Sequence, residues 1–140
     1  MNHIASPDTS DAGIERLIQA KGKTAPRVTP ADIEANIVSE DYFTAGDAVF
    51  GKPNRVGFQR TDGKYIPVFE DARHQALSLL TFCVLTLKNG FTVTGESACA
   101  SPENFDAEIG RRIARENAVQ KIWPLMGYEL RSKLAAGATN

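Results

Sequence analysis

The feature that most constrains this chain is a hairpin signal followed at once by a long helical pattern. Residues 79–87, LLTFCVLTL, form a β-branched and apolar run, KNG is a turn, and residues 91–97, FTVTGES, form a second run. Asn89-Gly90 between two such runs is a strong hairpin marker, because the turn needs the positive φ that these residues tolerate. The first run is apolar at nearly every position, so its strand is expected to be covered on both faces. In the second, Phe91 and Val93 point one way and Thr92 and Thr94 the other, and Gly95 marks a bulge or the close approach of another backbone. Two strands alone are marginal in water, so helices must cover this hairpin or another chain must extend it.

The helix follows directly. Ser101 reads as its N-cap and Pro102 as its first residue. Glu103 and Asp106 lie in the first turn, where the helix dipole favours acids. The pattern runs to about Trp123, Pro124 interrupts it, and residues 125–135 read as a short second helix or arm. On a helical wheel Phe105, Ile109, Ile113, Val119, Ile122 and Trp123 cover one half, and Ala107, Gly110, Ala114 and Ala118 the other. Small residues let another backbone come close, so this helix is expected to pack on two sides, one against the sheet and one against a helix of this chain or of a second copy. That favours a homo-oligomer. The alternative is that the alanines reflect helix propensity on an exposed face. Glu108, Arg112 and Glu116 follow at i, i+4 and i+8 inside the large apolar arc. They form either a salt-bridge row at the core's edge or the lining of a polar pocket beside Phe105 and Trp123.

Upstream, two further helices are legible. SDAGIERLIQAKG carries Ile14, Leu17 and Ile18 at i, i+3 and i+4, with Ser10 or Asp11 as N-cap and Gly22 closing it. VTPADIEANIVSEDYF has Thr29 as N-cap, Pro30 at its first position, and Asp32 facing the positive end of the dipole. Ile33, Ile37 and Val38 form its buried stripe. It is expected to end within residues 39–42, with Thr44 capping a short extra turn through Val49. From about 50 to 76 the chain turns rich in Gly, Pro and charge. There VGF and YIPVF can pair as a small hairpin about Asp62-Gly63, a surface insertion or a flap over a ligand.

Composition removes several classes of function. With 16 Lys and Arg against 17 Asp and Glu, the net charge is −1, without the basic excess of a protein that grips nucleic acid through bulk charge. No apolar run approaches a membrane span, and no secretory leader is visible at the N-terminus. Cys83 and Cys99 lack a C-x-x-C spacing and are expected to be reduced. His3 and His74 have no partners at metal-ligand spacing, so no metal is expected. Neither a phosphate-binding loop nor a nucleophile elbow occurs. A length of 140 residues suits one domain. The expected organisation is a flexible tail over 1–9 and a single domain over 10–140 with the insertion at about 50–76. The fold is expected to be α+β, with N-terminal helices, one central antiparallel hairpin and a long helix packed on it.

The block from LTFCVLTLKNGFTVTGESACASPENFDAEIGRRIARENAVQKIWPLMGYELRSKL, with TAPRVTPADIEANIVSEDYFTA before it, resembles a family of small phage proteins. The family is typified by members from coliphage N-four and Shigella phage Sf-six. The likeness covers about residues 14–49 and 79–134, and departs from it at Met126, where an acidic residue is expected. It implies a phage accessory protein acting in the host bacterial cytoplasm, and it brings no enzymatic activity, cofactor or catalytic residue. Accessory proteins of this size without catalytic motifs usually act by stoichiometric binding. The leading expectation is counter-defence: a homo-oligomer that sequesters a nucleotide immune signal, such as a cyclic oligonucleotide or an ADP-ribose derivative. Arg112 and Arg115 would pair phosphate, Trp123 and Tyr128 would stack on a base, Asn104 and Asn117 would read its polar edges, and Glu116 would belong to the same site. A protein-binding inhibitor of a host enzyme is the alternative. A DNA-replication or recombination accessory, gripping through Arg111, Arg115, Lys121, Arg131 and Lys133, is a third. An enzyme would have to use Glu96, Cys99 or Glu116, beside which nothing places a base.

Overall fold

A computed structural model describes residues 8–51, 57–61, 64–68 and 74–137. In chain order the elements are α1 (Asp11–Ala20), α2 (Pro30–Asn36), β1 (Ile37–Thr44), α3 (Ala45–Phe50), β2 (Gly57–Thr61), β3 (Lys64–Val68), α4 (His74–Ser78), β4 (Leu80–Leu87), β5 (Thr92–Ala98), a 3₁₀ turn (Pro102–Asn104) and α5 (Ala107–Gly137). The fold is α+β. Its main sheet is three-stranded and antiparallel, in the order β1-β4-β5, and β2 and β3 form a separate antiparallel ribbon. The ribbon is the hairpin expected between VGF and YIPVF, with Thr61 opposite Lys64. Asp62-Gly63, expected to form its turn, and most of the expected N-terminal tail lie outside the described residues.

The β4–β5 hairpin forms as its sequence requires. The Leu87 N–H donates to the Phe91 carbonyl at 2.8 Å and the Gly90 N–H to the Leu87 carbonyl at 2.9 Å. Gly90 has φ +86°. A three-residue loop with one left-handed glycine is the second common hairpin closure, so Asn89 does not need positive φ. Along β4 burial alternates: Thr81, Cys83, Leu85 and Leu87 are buried, and Leu80, Phe82, Val84 and Thr86 are half-buried. The expectation of a strand buried on both faces is therefore corrected. One face meets α5. The other is only partly screened and carries Phe82 stacked on Phe43 of β1 with ring centroids 5.4 Å apart.

The central sheet has a strand that helical periodicity hides. α2 stops at Asn36 and the chain continues as β1, so the expected helix through residues 39–42 is corrected, as is the single central hairpin. Ile33, Ile37 and Val38 fit a helical stripe. Yet Ile-Val and Tyr-Phe are also strand-forming pairs, and pairing with β4 decides between the two periods. Only Ile33 of that stripe is buried, and Val38 is exposed. The start of α2 is as expected: Thr29 and Asp32 form a reciprocal capping box, as Thr44 and Asp47 do for α3.

α5 also departs from expectation. Ser101 makes no side-chain cap, and Pro102 opens the 3₁₀ turn. The α-helix starts later, where the Asp106 carboxylate accepts from the Ile109 N–H at 3.0 Å. Pro124 lies inside the helix, which continues to Gly137. Over residues 107–121 the face on the sheet is the small one. Ala114 and Ala118 are fully buried. A Cβ on Gly95 would strike the Ala114 carbonyl and the Ala118 backbone, and one on Gly110 would lie 3.1 Å from Thr81 Oγ1. The small residues thus let α5 lie directly on β5, and Gly95 is the close approach, with no bulge in the ladder. Ile109 and Ile113 are left 57% and 44% exposed, so their expected burial is corrected, whereas Val119 and Ile122 of the same arc are buried.

Contacts divide the chain into two units, residues 1–37 with 122–140, and residues 38–121. The second holds the sheet, α3, α4 and the first part of α5. The first holds α1, α2 and the end of α5, with Trp123 Nε1 donating to Asp11 at 3.2 Å and Arg27 clasping Glu15 through bonds of 2.6 and 2.7 Å.

Candidate functional site

The pocket with the richest chemistry lies in the second unit, between the end of β1 and the first turn of α5. It encloses about 210 Å³ and is lined by Tyr42, Phe43 and Thr44, Asp47 of α3, Thr81 of β4, Phe105, and Ala107 and Arg111 of α5. Local structure explains each position. The capping box ties Thr44 to Asp47, with the Asp47 carboxylate accepting from the Thr44 N–H at 2.9 Å. The late start of α5 leaves Phe105 in the extended link before the helix, where its ring separates this pocket from a second groove. That groove, of about 130 Å³, includes Leu79, Cys99, Asn104, Ile109 and Ile113 and shares Thr81 and Phe105 with the pocket.

Beside the pocket a polar chain joins β1, β4 and α5. Arg115 Nε donates to Glu40 Oε1 at 2.7 Å, and the Tyr42 hydroxyl donates to the same oxygen at 2.6 Å. The bonds from Arg115 and Tyr42 hold the Glu40 carboxyl below its usual range. Burial, then the Glu40 carboxylate, pushes the Tyr42 phenol well above its usual range. Burial likewise raises the neighbouring Cys83 thiol. A thiol held protonated is a poor nucleophile, so this chain of groups orients Tyr42 at the pocket wall and does not activate a cysteine.

The pocket can hold a flat, anion-bearing group. Tyr42, Phe43 and Phe105 offer aromatic surface, Thr44 and Thr81 offer hydroxyls, and Arg111 offers a forked cation. Among the described residues no three His, Cys, Asp or Glu side chains converge as a metal site. No described helix is long and apolar enough to cross a membrane.

None of the residues singled out from the sequence as ligand-binding lines this pocket. Asn104 lines the second groove. Arg115 is engaged with Glu40. Arg112 pairs with Glu108 at 3.1 Å on the exposed side of α5, and Glu116 is exposed there too. Asn117 Nδ2 donates to the Glu96 carbonyl of β5 at 2.9 Å. Trp123 and Tyr128 belong to the other unit, Trp123 bound to Asp11 and Tyr128 78% exposed. Cys99 donates to the Ser101 carbonyl at 3.1 Å, and Glu96 is exposed. Both cysteines are free thiols. Sequence reasoning missed Tyr42, Phe43 and Thr44 as pocket residues because it missed β1, and without that wall nothing pointed to Asp47 of α3 or Thr81 of β4. Read with a period of two, Glu40, Tyr42 and Thr44 fall on one face of a strand, and that alternation was the available signal.

No curated protein and no solved structure matches the chain. Residues 28–134, which span β1, the hairpin and nearly all of α5, match one protein family. By that match the chain belongs to the phage protein (N4 Gp49/phage Sf6 gene 66) family.

Proposed function

We propose that this phage protein is a non-catalytic counter-defence factor: a homo-oligomer that binds a nucleotide immune signal and sequesters it in the host bacterial cytoplasm. The observation that carries this reading is the pocket's donor set, Arg111 at an aromatic wall of Tyr42, Phe43 and Phe105 with two threonine hydroxyls. Arginine pairs phosphate and aromatic rings stack on bases. A volume of about 210 Å³ suits a base or a sugar phosphate, smaller than the ~300–1,000 Å³ of sites that enclose a drug-sized ligand. A cyclic oligonucleotide would therefore extend into the neighbouring groove or reach a second copy. The test is a thermal-shift screen with cyclic di- and trinucleotides and cyclic and linear ADP-ribose derivatives, followed by mass spectrometry of the recovered ligand. At 100 times its Kd a ligand adds about 2.7 kcal/mol, a shift of several degrees. Arg111→Ala should abolish the shift, and the ligand should return chemically intact. No shift with any ligand, or a converted ligand, overturns the reading.

Exposed Ile109 and Ile113 beside the groove favour a second reading, an inhibitor that docks on a host enzyme. That reading predicts binding that survives Arg111→Ala and is lost in Ile109→Asp.

A further inference from the structure

Phe105 and Thr81 line both the pocket of about 210 Å³ and the groove of about 130 Å³, so the two cavities meet at these side chains. Phe105 is half-buried, and its backbone fixes it there. Its N–H donates to the Pro102 carbonyl at 3.2 Å, and its φ of −65° and ψ of 127° hold it extended before α5 begins. The two cavities differ in charge. The pocket has Arg111, whereas among the described residues the groove has no cation, and its acid, Asp106, already accepts the Ile109 N–H. Leu79, Ile109 and Ile113 give the groove apolar walls, which suit an uncharged, flat group. Each cavity also holds one polar side chain without a hydrogen bond or ion pair among the described residues, Arg111 in the pocket and Asn104 in the groove. Neither cavity alone encloses more than part of a nucleotide. Together they reach the lower end of the ~300–1,000 Å³ range of sites that enclose a drug-sized ligand.

We infer that pocket and groove are the two halves of one site for a dinucleotide, with one base on either side of the Phe105 ring, the linking phosphate on Arg111 and the groove base read by Asn104. An aromatic side chain between two bases stacks on both. The charge asymmetry sets the polarity, because only the pocket half can meet a phosphate. The Asn104 amide offers one donor group and one acceptor, which match the N7 and amino group of adenine, so the groove base is adenine. This inference rests on the nucleotide reading of the pocket and narrows it. Both bases are held by one chain, so one ligand binds per chain and no second copy is needed to complete the site.

The test uses the full-length chain and three probes: AMP, the linear dinucleotide pApA and cyclic di-AMP. Calorimetry gives affinity and stoichiometry, and Cys99 serves as a reporter inside the groove. The chain has two cysteines. Cys83 is fully buried and Cys99, which lines the groove, is half-buried, so iodoacetamide should modify Cys99 first. At least one dinucleotide is expected to bind at one per chain, about tenfold or more tighter than AMP. At saturation it should slow the modification of Cys99 severalfold, whereas AMP at equal occupancy should not. Phe105→Leu and Asn104→Ala should each shrink the preference for dinucleotide over AMP by about tenfold. A variant that only loosened the fold would weaken both probes alike and leave that ratio unchanged. AMP bound as tightly as the dinucleotides, AMP that protects Cys99 equally, one ligand for two chains, a bound dinucleotide that leaves Cys99 unprotected, or a ratio that neither variant moves each overturn the two-base site and leave the nucleotide pocket standing. No binding by any of the three probes overturns it as well, and the pocket reading falls with it only if the wider ligand screen is also silent.

Discussion

Two stretches of the same chain reach order by different means. Residues 38–121 have two layers. The small face of α5 lies on the sheet, and Cys83, Leu85, Leu87, Val93, Ala114, Ala118 and Val119 are buried there. Among the described residues of 1–37 with 122–140 the helices are of comparable quality, well capped and periodic, but they bury only Gly13, Ile33 and Ile122. There Ile14 and Leu17 are 43% and 51% exposed, and order rests on polar ties, the Arg27–Glu15 clasp, the Trp123–Asp11 bond and the Thr29 capping box. Periodicity sets which side of a helix can be buried. Burial itself needs a surface to meet, and a hydrophobic stripe without one contributes little.

The comparison can be broken most directly at Gly95. A Cβ there meets helix backbone, which no rotamer change relieves. Gly95→Ala should therefore cost more than the ~1–3 kcal/mol of ordinary overpacking, up to loss of folding. Gly110→Ala, whose new methyl meets only the Thr81 side chain at 3.1 Å, should cost clearly less. A urea titration of the two variants checks the order. If Gly95→Ala is tolerated, close backbone contact is not what holds the two layers together. Next in size is a pair of truncations. Leu85→Ala, at a fully buried position, should lose about 2–5 kcal/mol. Leu17→Ala should stay within about 0.5 kcal/mol, as exposed positions do. Equal losses would mean that α1 is buried in solution by something the single chain does not provide, which would sharpen the case for a second copy.

The same contrast explains how far the sequence could be read. The hairpin, the capping boxes at Thr29 and Thr44, and the existence of the long helix were legible, because each depends on neighbours a few residues apart. β1 was not. Its residues satisfy a helical and a strand period at once, and the deciding partner, β4, lies some forty residues away along the chain. The face of α5 was misjudged for a related reason. Large residues usually mark the buried side, but here a glycine on β5 makes room for a backbone, so the alanines are buried and Ile109 and Ile113 are not. The pocket was lost with β1, since one side of its wall comes from Tyr42, Phe43 and Thr44. Nothing local in the sequence distinguishes Arg111 from Arg112 among the cations of the helix. The structure separates them: Arg112 is spent on Glu108 at the surface, and Arg111 lines the pocket.

The smallest expected effect concerns acid. The bonds from Arg27 and Gln19 depress the Glu15 carboxyl from 4.5 to about 2. Its native form therefore binds fewer protons than its unfolded form across that interval. The stabilisation it provides is complete above about pH 4.5 and disappears as the pH falls towards 2. Glu40 in the other unit is depressed in the same direction by Arg115 and Tyr42, so both units lose a tie in acid, but residues 38–121 have the larger buried core to fall back on. Amide exchange between pH 5 and 2.5 should therefore accelerate in α1 and α2 before it does in β4 and β5. Arg27→Ala should return the Glu15 titration, read by carboxyl NMR, towards 4.5 and flatten this pH dependence without touching the sheet. If the sheet and the N-terminal helices open together at every pH, the two units share one cooperative transition, and polar ties and a packed core are not separate sources of order here.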